Sequence, residues 1–490
     1  MVISSKKNKN QKTAPIFEAL VEYRSRKVLP LHTPGHKGIG YPQLKSFLTD
    51  LGLACDLPSM DATDNSFHPS GCISHAQNLA AELYNAGDSF YLVNGATIGI
   101  HAAFMAAVKP GDKILLPRNF HISVFAALVF CGAEPVYIPT KWLDGAGPVP
   151  SREEEFSEFL KKNENIRAVF LTHPTYYGIG RSLGSITSLC HRNNIPLIVD
   201  EAHGAHLHFL PEGNIRSALD YGADVVIQSV HKNLGSLVGT AQMHRGKNSL
   251  ISKERLQSML NLFQSTSSNY LLLSSLDIVR SLMYHKGNQL FTKSVRDATS
   301  LSKKLNSIPG IGILSTDYSP TLTECSIDPL RLTVNISDLG MTGIQTELLL
   351  YKKYNILGEF CDNRNVVFVL SPYDSLNWYD ELVRAFQKIS AENYHLGKNA
   401  LPSFDFFLKP NVILTPREAT FKPKTKIPLN ESVGCISGEL ITSYPPGIPI
   451  ICPGEEITDE IINYCQWLSN QPSYIFAEDK TLSTISILNS

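Results

Sequence analysis

The chain has 490 residues, 43% hydrophobic and 18% charged, with a formal net charge of −1. This is more than one ordinary domain needs, and the composition is that of a soluble globular protein with a sizeable core. The balanced charge leaves no electrostatic footprint for nucleic acid or an anionic membrane surface, so neither is expected as a partner.

Residues 1–14 read as a flexible polar tail, where Lys6, Lys7, Lys9 and Lys12 are followed by no apolar h-region of a signal peptide. Residues 15–27 read as a short helix, and His32-Thr33-Pro34-Gly35-His36-Lys37-Gly38 as a loop. Small and apolar residues recur at helical spacing over 76–86, where Gly87-Asp88 closes the helix. A strand over 90–93 opens into Asn94-Gly95-Ala96-Thr97-Ile98-Gly99 and an apolar helix over 100–108. Such a junction aims backbone N–H groups and a positive helix end at an anion. The stretch 90–108 is weakly polar, but Asn94, Gly95, Gly99 and His101 interrupt it, which argues against a membrane span.

Strand-like and helix-like runs then alternate: a strand over 113–117, a helix over 123–131 and a strand over 135–138. A Gly/Pro loop over 141–150, an acidic helix over 152–162 and a strand over 167–172 follow. Two more short β-branched runs, 195–199 and 223–227, lead into Asp200 and Ser229. This rhythm predicts an α/β fold with a largely parallel sheet covered by helices, in a major domain over 15–304. The texture changes over 305–395, where strands at 331–336 and 365–370 and a helix at 342–354 predict a smaller α+β domain. Residues 396–490 form a third region. Nine dispersed cysteines without a CxxC pair suit a reducing compartment, so a cytoplasmic location is expected.

If the runs ending at Asp200 and Ser229 are parallel neighbours, Asp200 and Lys232 share the carboxyl edge of the sheet, where open α/β sheets bind ligands. A lysine and a carboxylate held there are what pyridoxal 5'-phosphate needs, one as covalent anchor and one to keep the ring nitrogen protonated. Thr97 and its neighbouring amides, including that of Ala96, suit the phosphate. His121, just past a strand end at the same edge, reads either as a ring stacked on the cofactor or, more ordinarily, as a surface histidine capping a loop. His203, His206 and His208 invite a metal site, but without a matching carboxylate cluster or helical spacing no metal is expected, and His203 borders the cofactor or substrate.

With these residues assembled, the chain resembles the pyridoxal-phosphate-dependent Orn/Lys/Arg decarboxylases of fold type I, in the short form of the biosynthetic arginine and lysine decarboxylases. The matching pieces are the 32–38 loop, Val93-Asn94-Gly95, Pro117-Arg118-Asn119 with His121 and Ser123, and Pro174-Thr175-Tyr176-Tyr177-Gly178. Further on they are Val199-Asp200-Glu201-Ala202-His203-Gly204-Ala205-His206, Ser229 with His231-Lys232, Leu414-Thr415-Pro416-Arg417-Glu418-Ala419 and Tyr444-Pro445-Pro446-Gly447-Ile448-Pro449. The resemblance implies a mostly parallel seven-stranded sheet with smaller α+β C-terminal domains, the last being the decarboxylase C-terminal domain over 396–490.

Carried over by position, it implies Lys232 as the covalent lysine, Asp200 at the ring nitrogen, His121 over the ring, and Ala96, Thr97 and Ser229 at the phosphate. Ala202 and His203 would line the cofactor, His231 would lie beside its attachment, and His36 and Glu359 would meet substrate, with Glu418 a second candidate acid. Thr266, in Ser265-Thr266-Ser267, would reach the phosphate of a second subunit, making a homodimer or an assembly of dimers. The chain departs from the family at Ser59-Met60, Ile122, Leu237-Val238-Gly239 and Ser268. The implied activity is decarboxylation of a basic L-amino acid, arginine to agmatine first, then lysine or ornithine, as in polyamine biosynthesis. An aminotransferase of the same fold, using Arg331 or Arg417 for a carboxylate, and a catalytically silent cofactor-binding homologue are the alternatives.

Overall fold

The structure, a computed structural model, describes residues 27–32, 35–37, 41–46, 64–394, 410–443, 447–471 and 475–489. The helix expected over 15–27, except Lys27, and Ser59-Met60, Thr33-Pro34, Gly38 and 444–446 lie outside the described residues.

Seven strands make the central sheet: β1 (Asp88–Leu92), β2 (Lys113–Pro117), β3 (Glu134–Ile138), β4 (Ile166–Thr172), β5 (Leu197–Asp200), β6 (Val225–Gln228) and β7 (Ala241–Arg245). Their order is β1-β7-β6-β5-β4-β2-β3. Five of the strands pair in parallel with their neighbours from β6 through β3, and only β7 runs antiparallel, against both β6 and β1. Every residue of β5 and β6 is buried, as their continuous β-branched runs require of strands covered on both faces. β7 reads Ala-Gln-Met-His-Arg and had no such apolar signal. Its buried Gln242 donates to Gln228 Oε1 at 2.8 Å, and Ser89 Oγ lies 2.7 Å from His244 Nδ1, so a polar seam satisfies that face.

Three helices start earlier or are held differently than periodicity alone suggested. Helix α1 runs Cys72–Leu83, not over 76–86. Asp64 sets its start, because Asp64 Oδ2 accepts from the backbone N–H of Gly71 at 2.8 Å and of Ile73 at 2.9 Å. Helix α2 runs Gly95–Ala107, so Ala96 and Thr97 stand in its first turn and not in a turn before it. Helix α3 (Ile122–Cys131) is capped by the imidazole of His121, which accepts from Ser123 N.

Helix α4 (Tyr270–Asn306) is 37 residues long, and the boundary expected at 304–305 falls inside its last turn. Leu273, Val279, Phe291 and Leu305 on its buried stripe join Leu332, Val334, Phe368 and Phe386 in one hydrophobic cluster, so the core runs across that boundary. Beyond it, β8 (Gly312–Ile313), β9 (Arg331–Asn335), β10 (Phe360–Cys361) and β11 (Asn365–Val369) form an antiparallel sheet in the order β8-β9-β11-β10. Helices α5 (Gly343–Tyr354) and α6 (Leu376–Asn393) accompany it. The C-terminal region is fastened to the central sheet through Arg118, whose guanidinium meets Glu455 at 3.0 Å with both side chains buried. Among the described residues no helix is long and apolar enough to cross a membrane, and no disulfide joins one described cysteine to another.

Candidate active site

Parallel strands deliver their carboxyl ends to one edge, and that edge gathers the site. β1 leads to the N-terminus of α2, β2 to His121, β4 to Tyr176, β5 to Asp200 and His203, and β6 to Ser229 and Lys232. Ile227 is registered opposite Asp200, so Ser229 projects just past the edge, and one helical turn, Val230–Asn233, carries Lys232. From the opposite side come Lys37, Arg331 at the head of β9, and Glu359 just before β10.

The centre of the site is a chain of three side chains. Arg331 Nη2 approaches His203 Nδ1, and Lys232 Nζ lies 2.6 Å from His203 Nε2. A guanidinium can only donate, so His203 Nδ1 carries the lone pair and Nε2 carries the proton. That proton faces Lys232, so the contact favours the uncharged form of the amine, which alone can accept it. Burial, with the Arg331 charge, brings the Lys232 amine down to about 8 against the pull of Glu359 and Asp200, so its uncharged form is within reach near neutral pH. Burial and the neighbouring Lys232 and Arg331 charges hold His203 well below the usual imidazole range. The Tyr176 ring meets the His203 ring edge to face at 4.9 Å, fixing its plane.

Asp200 is buried, and its Oδ1 accepts from Ala202 N at 3.0 Å. Burial raises its pKa despite that hydrogen bond and the Lys232 charge, so the carboxyl favours a cationic partner. His121 Nδ1 accepts from Ser123 N at 3.2 Å, which leaves the ring proton on Nε2. Burial, then the Lys232 charge, pushes His121 down to about 3, so it stands as a neutral flat ring. His231 Nδ1 donates to the Thr240 carbonyl at 2.7 Å, which makes Nε2 its basic nitrogen, and burial pushes this imidazole down to about 4.

At the far end, Ser229 is buried and Thr97 is exposed in the first turn of α2. Gly95 has φ +74°, and nothing lies within 4 Å of where its Cβ would stand, so the helix N-terminus opens onto free space. Gly95 N donates to Gly239 O at 2.7 Å, tying this cradle to the loop after Lys232. A lysine, a buried acid, a neutral imidazole, a serine and an open helix N-terminus together fit the needs of pyridoxal phosphate.

Two further residues border the site. Lys37 Nζ donates to the carbonyls of His32 at 2.6 Å and Val369 at 2.9 Å, and burial pushes it down to about 8. His36 is half-buried, and burial together with the Lys37 charge lowers its pKa. Sequence reasoning had named Arg331 only as a possible carboxylate holder and had not singled out Lys37. The available signal was an arginine heading the otherwise apolar run Leu332-Thr333-Val334, a placement that only a buried partner explains.

Some expected residues stand elsewhere. Glu418 is not a site acid: it is exposed, and its Oε2 accepts from Thr415 N at 3.1 Å to close a capping box. Arg417 donates to the Phe130 carbonyl at 2.9 Å, on the outside of α3. His206 pairs with buried Asp328 at 3.0 Å, and His208 packs at 5.2 Å from the Tyr84 ring, so the three neighbouring histidines face three different partners. Thr266 is exposed in the loop that follows the Lys253–Phe263 helix.

The sequence matches the family model described as Orn/Lys/Arg decarboxylase, major domain, over residues 14–377, and the corresponding C-terminal domain over residues 404–473. It is 36% identical over 464 residues to the arginine decarboxylase of Bacillus subtilis (strain 168), which covers 93% of each chain. It is 33% identical over 493 residues to the arginine decarboxylase of Bacillus anthracis, with 98% of each covered. Among solved structures, a lysine decarboxylase from Francisella novicida matches with a TM-score of 0.75 at 19% identity, covering 97% of this chain and 83% of that one. An alanine–glyoxylate aminotransferase from Nostoc sp. matches with a TM-score of 0.54 at 19% identity, over 71% of this chain and 92% of that one. The fold is therefore type I of the pyridoxal-phosphate enzymes, with its seven-stranded mixed sheet between helices.

Proposed function

The chain belongs to the Orn/Lys/Arg decarboxylase family, and from that membership we propose that it is a pyridoxal-phosphate-dependent decarboxylase of a basic L-amino acid, with arginine as first substrate and agmatine as product. The observation that carries the reading is the Lys232 amine, brought down to about 8 by burial and 2.6 Å from His203 Nε2, at the sheet edge where Asp200 is buried one strand away. The choice of arginine over lysine or ornithine is supported by the arginine decarboxylases at 33–36% identity.

Lys232 would hold the cofactor covalently, Asp200 its ring nitrogen, His121 the ring face, and Thr97, Ser229 and the first-turn amides of α2 its phosphate. When bound, pyridoxal phosphate supplies the sink for the electron pair left as carbon dioxide departs. Asp200 keeps a proton on the ring nitrogen, since a buried carboxylate raises the pKa of an adjacent cation. Burial lowers the Lys232 amine to about 8, and the His203 Nε2 proton favours its uncharged, nucleophilic form. Glu359 provides the negative charge that a guanidinium or ammonium side chain needs. His231 and Lys232 are the candidates to return a proton to the substrate Cα. With His231 pushed down to about 4 and Lys232 to about 8, the lysine is better matched to proton transfer near neutrality. The same reading places the protein in the cytoplasm as a homodimer or an assembly of dimers, with exposed Thr266 serving the neighbouring subunit's phosphate.

The test is carbon dioxide release from arginine, lysine and ornithine, measured side by side on cofactor-loaded protein. Release from one of them, lost in Lys232→Ala, supports the reading; release that survives this substitution sinks it. An aminotransferase is the second reading, favoured by Arg331, a buried guanidinium whose Nε and Nη1 have no hydrogen-bond partner among the described residues. It would hold a substrate carboxylate through the reaction. Turnover that needs a keto acid and releases no carbon dioxide would select it.

A further inference from the structure

Away from the sheet edge, a cavity of about 90 Å³ opens to solvent where three parts of the chain meet. They are the 142–148 hairpin, the turn after β10, and the C-terminal helix Asp459–Ser469. Four aromatic rings line it. Trp142 and Tyr177 meet edge to face at 6.0 Å, and Tyr464 and Trp467 stack at 5.6 Å.

Among the described residues its charged lining is two aspartates, Asp144 and Asp362, against the guanidinium of Arg364, so these walls are net negative. Asp362 is rigidly held, accepting from Tyr177 Oη at 2.6 Å and Asn365 N at 2.7 Å. Asp144 is about half exposed and pairs with Arg364 at 3.3 Å, a contact weak enough to be exchanged for a better cation. Aromatic faces beside fixed carboxylates recognise organic cations carried on an apolar chain.

We propose that this cavity is a second binding site, specific for a small organic cation of the class the enzyme releases, an amine that has lost its α-carboxylate. The identity of the cation rests on the decarboxylase reading. An amino-acid substrate would bring its own carboxylate against Asp144 and Asp362, whereas the decarboxylated amine brings only positive charge, so the cavity discriminates product from substrate.

It also abuts the catalytic groups. Tyr177 in the cavity wall follows Tyr176, whose ring braces His203. Asp362 lies across the short strand β10 from Glu359, and the Phe360 ring between them meets Tyr177 at 5.2 Å. An occupant is therefore felt at both His203 and Glu359.

The chain has three tryptophans, and two of them, Trp142 and Trp467, line this cavity, so their emission reports its occupant directly. The experiment titrates agmatine into the holoenzyme, and both agmatine and arginine into full-length Lys232→Ala, which cannot convert arginine to agmatine, while following tryptophan emission. The expected result is a saturable change with agmatine and none with arginine at equal concentration. The change should persist in Trp378→Phe, vanish in the double variant Trp142→Phe/Trp467→Phe, and need roughly fivefold more agmatine in Asp144→Asn. Asp144→Lys should abolish it. An equal response to arginine, a response indifferent to both Asp144 variants, or no response overturns the proposal. Carbon dioxide release from arginine without a tryptophan response removes the cavity site and leaves the decarboxylase reading standing. A saturable response in protein that releases no carbon dioxide supports the cation site and removes that reading.

Discussion

Arg331 and Lys232 never touch, yet they bind opposite nitrogens of one imidazole, so the charge of the first dictates the proton on the second. Replacing Arg331 by Met removes both the donor on His203 Nδ1 and a positive charge that pushes Lys232 down. The Lys232 amine should then titrate at higher pH. Measured as the rate at which apoprotein captures pyridoxal phosphate across pH, the midpoint should move alkaline, and the rate near neutrality should fall by up to about tenfold for each pH step of that move. An unmoved midpoint rejects the relay.

Lys232 also has a cost in the apoprotein. Its folded pKa of about 8 lies below the ordinary 10.5, so the unfolded chain binds more protons between those values and stability rises with pH across that window. The penalty is complete below about 8 and gone above 10.5. Lys232→Met should therefore raise the stability of the apoprotein at neutral pH by ~2 kcal/mol, after allowing for the lost His203 hydrogen bond. The gain should shrink as pH climbs from about 8 and vanish near 10.5, and denaturant unfolding at several pH values checks this.

The Arg118–Glu455 pair should behave as a buried clasp. Arg118 Nε and Nη2 meet the two Glu455 oxygens at 3.1 and 3.0 Å, and Nη1 donates to the Pro449 carbonyl at 3.1 Å. Glu455→Gln strands a buried guanidinium and should cost about 3–5 kcal/mol, read as a drop in unfolding midpoint. Arg118→Met/Glu455→Gln should cost less than the two single changes added together. Because Arg118 stands three positions before His121, the single variants should also weaken cofactor retention.

Gly99→Ala tests how tightly α2 is seated on the sheet. A Cβ there would stand 2.8 Å from Leu92 Cδ1 and 3.0 Å from Ile227 Cγ2. Overpacking of this kind costs about 1–3 kcal/mol. The shift should lift the first turn of α2, so cofactor release should quicken together with the fall in melting temperature.

Much of this was legible before any coordinates. The runs at β5 and β6 are short, β-branched and uninterrupted, so their pairing and the shared edge of Asp200 and Lys232 followed from periodicity. Strand β7 was not legible, because its buried face is built from Gln242 and His244, whose polarity is satisfied by partners such as Gln228 and Ser89 on neighbouring strands. The start of α1 was hidden for a similar reason, since its cap, Asp64, stands well before the helix. Arg331 and Glu359 reach Lys232 from the small domain through tertiary packing, and no local pattern announces such a meeting.

The single antiparallel strand has a kinetic consequence. Among the described residues β1 pairs only with β7, Leu92 opposite Ala241, so the strand that launches α2 waits to join the sheet until a segment far later in the chain has been made and has turned back. Contacts of such long sequence separation form slowly, because loop closure precedes any gain from pairing. During synthesis, then, β2 through β6 can consolidate as a parallel block while β1 waits unpaired at its margin, and the anion cradle at Gly95 is the last corner of the sheet edge to close.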